Sequence, residues 1–360
     1  MTKPKQVTTI AILMPGDMGH GCALVFQQNG LRVVTCLAGR SQRTRNLAKK
    51  AGLEIMSSLN ALVKTADLIL SILPPEYAVE QAIHVAAAMK AVNTYPDYVD
   101  CNAISPATAK KVAATFNGLT TNFVDGGIIG LNPVKEAGLT RLYVSGAETA
   151  LVRQLDGRGM VVRDLGSEIG RASAMKMVYA SSTKGAFSLF AAVAVMAELT
   201  GLRDELFQEL AESQPNTLAT IKRMVPRIPL DANRWIFEMA EIASTYEAFG
   251  VTSHFHKGAG DIMQLANRTP LAAGTLLPAT GCMLRPDTAP QSPLAMYSRV
   301  WVLEARKSAA RTATTSLAMV RAARTRQLEA PATCGTLTIP QGQFRAQSWW
   351  HMRALRARDA

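Results

Sequence analysis

The sequence has few of the features that staple small exported domains or build metal centres. Its 360 residues hold five cysteines, Cys22, Cys36, Cys101, Cys282 and Cys334, with no C-x-x-C pair and no zinc-type spacing. A disulfide framework and a structural metal are therefore not expected, and the thiols read as small buried hydrophobes in a reducing, cytoplasmic setting. No long apolar stretch precedes a cleavage site at the N-terminus, so a secretory signal is not expected. The longest near-continuous apolar run, residues 186–197, is shorter than the roughly 20 residues that span a bilayer. No internal repeat is present. Acidic residues are scarce at one end: residues 267–360 carry 13 Lys and Arg against 4 Asp and Glu, so most of the net charge of +12 belongs to that tail.

What is present is ample apolar content, 48% of the chain, in two distinct patterns. From residue 7 to about 166, short β-rich runs alternate with helical stretches. The strand candidates are VTTIAILM, LRVVTCL, ADLILSIL, YVDCN, TNFVDGGII, RLYVSG and MVVRDLG. Helices are expected near 19–29, 41–51, 76–91 and 106–115. Several strand runs are apolar throughout, as strands buried on both faces must be. The alternation predicts an α/β fold, a doubly wound, mostly parallel Rossmann sheet over residues 1–166. Strand signals then stop. GRASAMKMVYASSTKGAFSLFAAVAVMAELTGL reads as one long helix, apolar nearly all round, so buried in a helical domain or covered by a partner subunit. Helices near 203–213, 216–225 and 231–249 complete an all-helical domain, 167–266. Residues 267–360 read as a low-order basic tail, a Pro- and Thr-rich linker with one exposed basic helix and a Trp pair. Contact of this tail with nucleic acid or an acidic membrane is the alternative to a solvated extension.

The chemistry begins in ILMPGDMGHGCALVFQQNG. A dinucleotide loop is written G-x-G-x-x-G, and here Met14 stands at the first glycine. Gly16 and Gly19 keep the other two positions, which allow close phosphate approach and helix–strand packing. With Asp17 and Met18 they open a helix whose N-terminus favours an anion. At the end of the second strand, where NAD enzymes carry an acid for the ribose hydroxyl, the sequence is CLAGRSQRTR. Arg40 and Ser41 there point to the 2′-phosphate of NADP rather than to NAD, while Arg43 and Arg45 read as the solvated start of a helix.

GDMGHGCALVFQQNG, ILSILPPEYAVEQAI and GRASAMKMVYASSTKG resemble the β-hydroxyacid dehydrogenase superfamily, which includes 3-hydroxyisobutyrate dehydrogenase, 6-phosphogluconate dehydrogenase and imine reductases. VDGGIIG, TRLYVSG and RWIFEMAEIASTYEAFGVTSHFHKGAGDI resemble a 6-phosphogluconate dehydrogenase-like subfamily with a poorly characterised C-terminal domain. The resemblance covers about residues 7–266 and not the tail. It implies an active site between a Rossmann domain and a helical domain, a homodimer paired through helices, and a small-molecule substrate. It further implies cofactor contacts from Leu73, Pro74 and Asn102, and a catalytic lysine at Lys176, whose amine exchanges a proton with the substrate hydroxyl as hydride moves.

Departures from the family pattern reshape the substrate pocket. Ala180 replaces the Asn four residues after the lysine, and Thr183 replaces the Glu that serves decarboxylation in 6-phosphogluconate dehydrogenase. Asp100-Cys101-Asn102-Ala103 replaces an Asp-x-Ser-Thr loop, and Ile129-Gly130-Leu131 replaces a Ser-Gly-Gly carboxylate cradle. Asn102, Ser105, Gly127, Gly130, Tyr179 and Lys184 are the candidate substrate contacts. Lys184 lies about 80° round the helix from Lys176, and it either shares the cleft and depresses the pKa of Lys176 or meets solvent. His254 and His256 read as loop or pocket-rim residues. The function these features imply is an NADP-dependent oxidoreductase acting on a small hydroxy or oxo acid. The alternatives are an imine reductase and a cofactor-binding protein whose chemistry has decayed.

Overall fold

The computed structural model describes residues 6–135 and 139–269. The readings of residues 270–360 lie outside the described residues. Eight described strands form one sheet: β1 (Thr9–Ile12), β2 (Arg32–Cys36), β3 (Glu54–Met56), β4 (Leu68–Ser71), β5 (Asp97–Asp100), β6 (Phe123–Ile129), β7 (Arg141–Ser145) and β8 (Val161–Asp164). Their order is β3-β2-β1-β4-β5-β6-β7-β8, and only the β6–β7 pair is antiparallel. Between them run α1 (Asp17–Gln28), α2 (Gln42–Lys50), α3 (Leu59–Thr65), α4 (Ala78–Val92), α5 (Pro106–Ala114) and α6 (Ala150–Arg153). β1, β4 and β6 are buried along their whole length, as the continuous apolar runs require. Serines start three of the helices: Ser41, Ser58 and Ser105 each accept a backbone N–H of the first turn. Strand order reverses between β1 and β4, which opens the crevice at their C-terminal ends where such sheets bind ligands.

After β8 the described chain is helical: α7 (Arg171–Ala180), a π-helical turn (Ser181–Gly185), α8 (Ala186–Leu199), α9 (Arg203–Ser213), α10 (Pro215–Met224), α11 (Ile228–Ala248) and α12 (His254–Asn267). Residues Arg171–Leu199 form one 29-residue helix interrupted only by the π turn, with a mean hydropathy of 1.3 in its most apolar window. That is long and apolar enough to cross a membrane, which the run at 186–197 alone did not suggest. In this fold it is the hub against which α10, α11 and α12 pack. Its opposite face leaves Met175, Val178, Tyr179, Leu189 and Met196 exposed.

All seven strands expected from the sequence are present. β3 is the addition, a three-residue edge strand with Ile55 exposed, too short to show a period. α12 corrects the loop reading of His254 and His256. Gly258 and Gly260 weaken its helical signal, but His256, Ala259, Met263 and Ala266 are buried at helical spacing and pack on α11. His256 is no rim residue: its Nε2 meets the Ser181 hydroxyl at 2.8 Å, inside the helical core.

Two buried or half-buried carboxylates help join the halves. The Asp125 carboxylate on β6 is fully buried. It accepts the Gly170 and Ser173 N–H groups at 3.0 Å each, the Ser173 hydroxyl at 2.5 Å and the Ser145 hydroxyl at 3.1 Å. It thereby caps α7 from the sheet. Gly127, two residues on and on the same face, lets α7 lie close. A Cβ there would stand 2.8 Å from the Ala172 carbonyl and 3.1 Å from the Lys176 Cβ. At the other end, Glu241 of α11 accepts the Ser105 N–H at 2.6 Å and the Thr108 hydroxyl at 2.9 Å. Asp125→Ala strands several buried donors at once, and a loss of about 3 kcal/mol or more is expected. Urea unfolding of the variant checks this, and an unchanged midpoint would contradict it.

Candidate active site

The turn after β1 explains the missing first glycine. Pro15 carries the chain round, and the Gly16 N–H returns to the Met14 carbonyl at 2.8 Å. Gly16 then caps α1 without a side-chain acceptor, so the first-turn N–H groups remain available to an anion. Gly19 serves helix–strand packing: a Cβ there would stand 2.5 Å from the Met14 carbonyl oxygen. Met18 packs its side chain on the sheet core, which leaves its backbone to face a ligand. Asp17 pairs with Arg43 at 2.6 Å. Arg43 is exposed at the start of α2, as its surface reading expects, and from there it also reaches the glycine loop. Asn132, also unanticipated, donates to the Asp17 carbonyl from the loop after β6.

At the end of β2, Arg40 reaches across the crevice to α4. Its Nη2 donates to Gln81 Oε1 at 2.6 Å. Its Nε is buried with no hydrogen-bond partner, and burial draws its pKa below the usual guanidinium range. An unsatisfied buried donor on a cation is costly and suits an anion. Ser41 uses its hydroxyl to cap α2. Leu73 and Pro74 follow β4 on the same edge of the sheet. The candidate cofactor residues therefore gather at the C-terminal ends of β1, β2 and β4.

Asn102 and Ser105 spend their hydrogen bonds within the protein. Asn102 is buried; its Oδ1 accepts the Leu73 N–H at 2.5 Å, and its amide donates to Ser71 and Asp100 at 3.1 and 3.0 Å. No donor is left for a ligand. It braces the turn after β4. Asp100, sealed beneath it, has its carboxyl pushed up by burial to about 7. Ser105 is equally buried, its hydroxyl capping α5 and its N–H on Glu241.

Lys176 lies over β6, and its Nζ donates to the Ile128 carbonyl at 2.6 Å. Burial, with Arg234 nearby, lowers its pKa to about 8. Gly127 lies directly beneath it, Gly130 and Leu131 are exposed at the strand's end, and Tyr179 is exposed one turn on. Lys184 does not meet solvent. The π turn directs it inward onto Glu238 and over the Trp235 ring, 5.8 Å from its centre. Burial, Lys176 and Arg234 pull it well below the usual lysine range. Arg234 is the like charge that acts on Lys176.

Residues 9–156 match the family model described as the NAD binding domain of 6-phosphogluconate dehydrogenase, and residues 197–266 match a domain of unknown function (DUF1932). The chain is 31% identical over 189 residues to an uncharacterized 28.5 kDa protein in the 7S RNA 5′ region of Methanothermus fervidus, covering 52% of this chain and 71% of that protein. Among solved structures, 3-hydroxyisobutyrate dehydrogenase from Salmonella typhimurium aligns at 20% identity with a TM-score of 0.58, over 72% of this chain and 94% of that one. The Mycobacterium tuberculosis 3-hydroxyisobutyrate dehydrogenase with L-serine aligns at 20% identity with a TM-score of 0.55, over 72% and 93%. These two likenesses speak for the fold.

The two glycines of the loop should separate by substitution. A Cβ at Gly16 meets only Met14 Cε at 3.7 Å, so Gly16→Ala should fold normally yet bind NADPH more weakly, because the methyl group intrudes on the phosphate. Gly19→Ala collides with backbone and should lower the melting temperature itself. Thermal melts with NADPH fluorescence titration check both, and unchanged affinity in Gly16→Ala would contradict the cradle.

Proposed function

The chain belongs to the β-hydroxyacid dehydrogenase-like family, and on that premise we propose that it is an NADP-dependent oxidoreductase acting on a small hydroxy or oxo acid, with Lys176 as the general acid/base. On this reading it is a nicotinamide-dependent dehydrogenase or reductase of the kind that acts on CH–OH donors. The bound nicotinamide would supply or accept the hydride. The Gly16–Gly19 turn and the start of α1 would hold the pyrophosphate. Arg40, with its unpartnered Nε, and Arg43, beside Asp17, would meet the 2′-phosphate.

One observation carries the catalytic reading: the Lys176 amine is held on the Ile128 carbonyl at the end of β6, with its pKa drawn to about 8. An amine at that value is protonated enough to donate and neutral enough to accept near physiological pH. In the reductive direction its ammonium gives a proton to the forming alkoxide. In the oxidative direction the neutral amine takes the hydroxyl proton. A second reading, imine reduction, draws on the exposed, apolar loop end at Gly130 and Leu131. We further propose that the exposed apolar face of the Arg171–Leu199 helix pairs with a second copy.

The sign of the pH dependence follows. Reduction of an oxo acid by NADPH should fall as pH rises through about 8, and oxidation of the hydroxy acid should rise over the same range. Rates against a panel of oxo acids test this, and a profile flat from pH 6 to 10 would contradict it. Lys176→Met should lower kcat about 100-fold or more while leaving NADPH affinity nearly unchanged; full activity in the variant would remove the lysine from the mechanism. Arg40→Gln should reduce the preference for NADPH over NADH roughly tenfold, as for one charge-assisted contact. Dissociation constants for both cofactors check this, and an unmoved ratio would assign the phosphate elsewhere.

A further inference from the structure

One stripe of α11 carries Asp231, Arg234, Glu238 and Glu241 at spacings of three, four and three. Its Glu241 end is anchored to the sheet domain through Ser105 and Thr108. Two turns back along the same stripe, Arg234 donates from Nη1 to Glu238 Oε1 at 2.8 Å and from Nη2 to Asp231 Oδ1 at 3.2 Å. Glu238 is only 2% exposed, and its second oxygen takes Lys184. One buried carboxylate thus gathers two cations. The Lys184 side chain is 13% exposed, whereas that of Arg234 is 51% exposed. A guanidinium has five donors in a planar fork, and the two ion pairs leave part of that fork free. The charge of Arg234 is felt at both Lys176 and Lys184.

The loop after β6 offers the complementary observation. Ile129, Gly130 and Leu131 have no side-chain donor, so a carboxylate entering beside Lys176 finds no side-chain hydrogen bond there. A carboxylate left unpaired on leaving water would bind poorly. We propose that Arg234, held in place by Glu238 and Asp231, is the docking group for the substrate's carboxylate, and that it supplies a side-chain donor that Ile129, Gly130 and Leu131 do not. This rests on the dehydrogenase reading and narrows its substrates to small carboxylic acids. Guanidinium and carboxylate match in two parallel hydrogen bonds, and the ion pair with buried Glu238 fixes the fork in advance.

The test uses the full chain saturated with NADPH and malonate as the probe, titrated by calorimetry. Wild-type protein should bind malonate, Arg234→Gln should weaken it roughly tenfold or more, and Arg234→Lys should recover part of the loss. NADPH affinity and melting temperature should be nearly the same in all three. Equal malonate binding by wild type and Arg234→Gln, or none by wild type, would overturn the proposal. Inorganic phosphate competing as well as malonate would mark an unselective cationic patch and overturn the carboxylate assignment. A fall in melting temperature with Arg234→Gln that Arg234→Lys does not rescue would mark a structural role and overturn it too. Failure of NADPH itself to bind would be a different result, one that rejects the cofactor reading on which the proposal stands.

Discussion

The Asp125 carboxylate is the interaction on which the rest of the candidate active site depends. A buried carboxylate is tolerated only when its lone pairs are filled, and here backbone and hydroxyl donors from α7 and β7 fill them. That requirement fixes the first turn of α7 against β6. Because Asp125 and Gly127 share one face of the strand, the same strand clears the space into which the helix settles. Lys176 stands one turn beyond Ser173, and its amine finds the Ile128 carbonyl one residue past Gly127. The position of the amine is therefore set by a four-residue piece of β6, the first two turns of α7 and Ser145 of β7, which bonds both Asp125 and the Ala172 N–H.

Electrostatics then separates two lysines that look alike in sequence. Lys176 and Lys184 are eight residues apart and both leave water. Lys184 meets Glu238, whereas Lys176 meets only a neutral carbonyl and the field of a nearby arginine. Lys184 is tied to a carboxylate on α11; Lys176 is not, and it is the amine we propose for proton exchange. The π turn at Ser181–Gly185 makes the difference, because it shifts the helix phase between the two. Across the crevice a similar division holds for the arginines. Arg43 offsets the acid on the glycine loop, and Arg40 keeps a buried donor unpaired.

Much of this was legible in the sequence. The seven strand runs, the glycine turn and Lys176 stand out because each is a local pattern: a period, a spacing, or a lone charge in an apolar helix. What was not legible depends on partners distant in the chain. Asn102 and Ser105 sit at strand and helix ends where ligand contacts are common, but their hydrogen bonds are spent on Ser71, Leu73, Asp100 and Glu241. A polar residue in the right place does not announce that it is already satisfied. Arg43 looked like the basic start of a surface helix, and only the fold brings it to Asp17. Glu238 and Arg234 lie in an ordinary amphipathic helix, and their importance comes from Lys184, fifty residues away. α12 was hidden by its glycines, and β3 by its length.

The most direct measurement is the pKa of the Lys176 amine itself, read by NMR from 13C-methylated lysines, with the signal assigned by its absence in Lys176→Arg. The account predicts titration near pH 8, returning toward the ordinary lysine range when Asp125→Ala frees α7 from the sheet. A wild-type amine that titrates above pH 10 would contradict it, because a fully solvated lysine there would be neither buried on β6 nor suited to exchange a proton with the substrate.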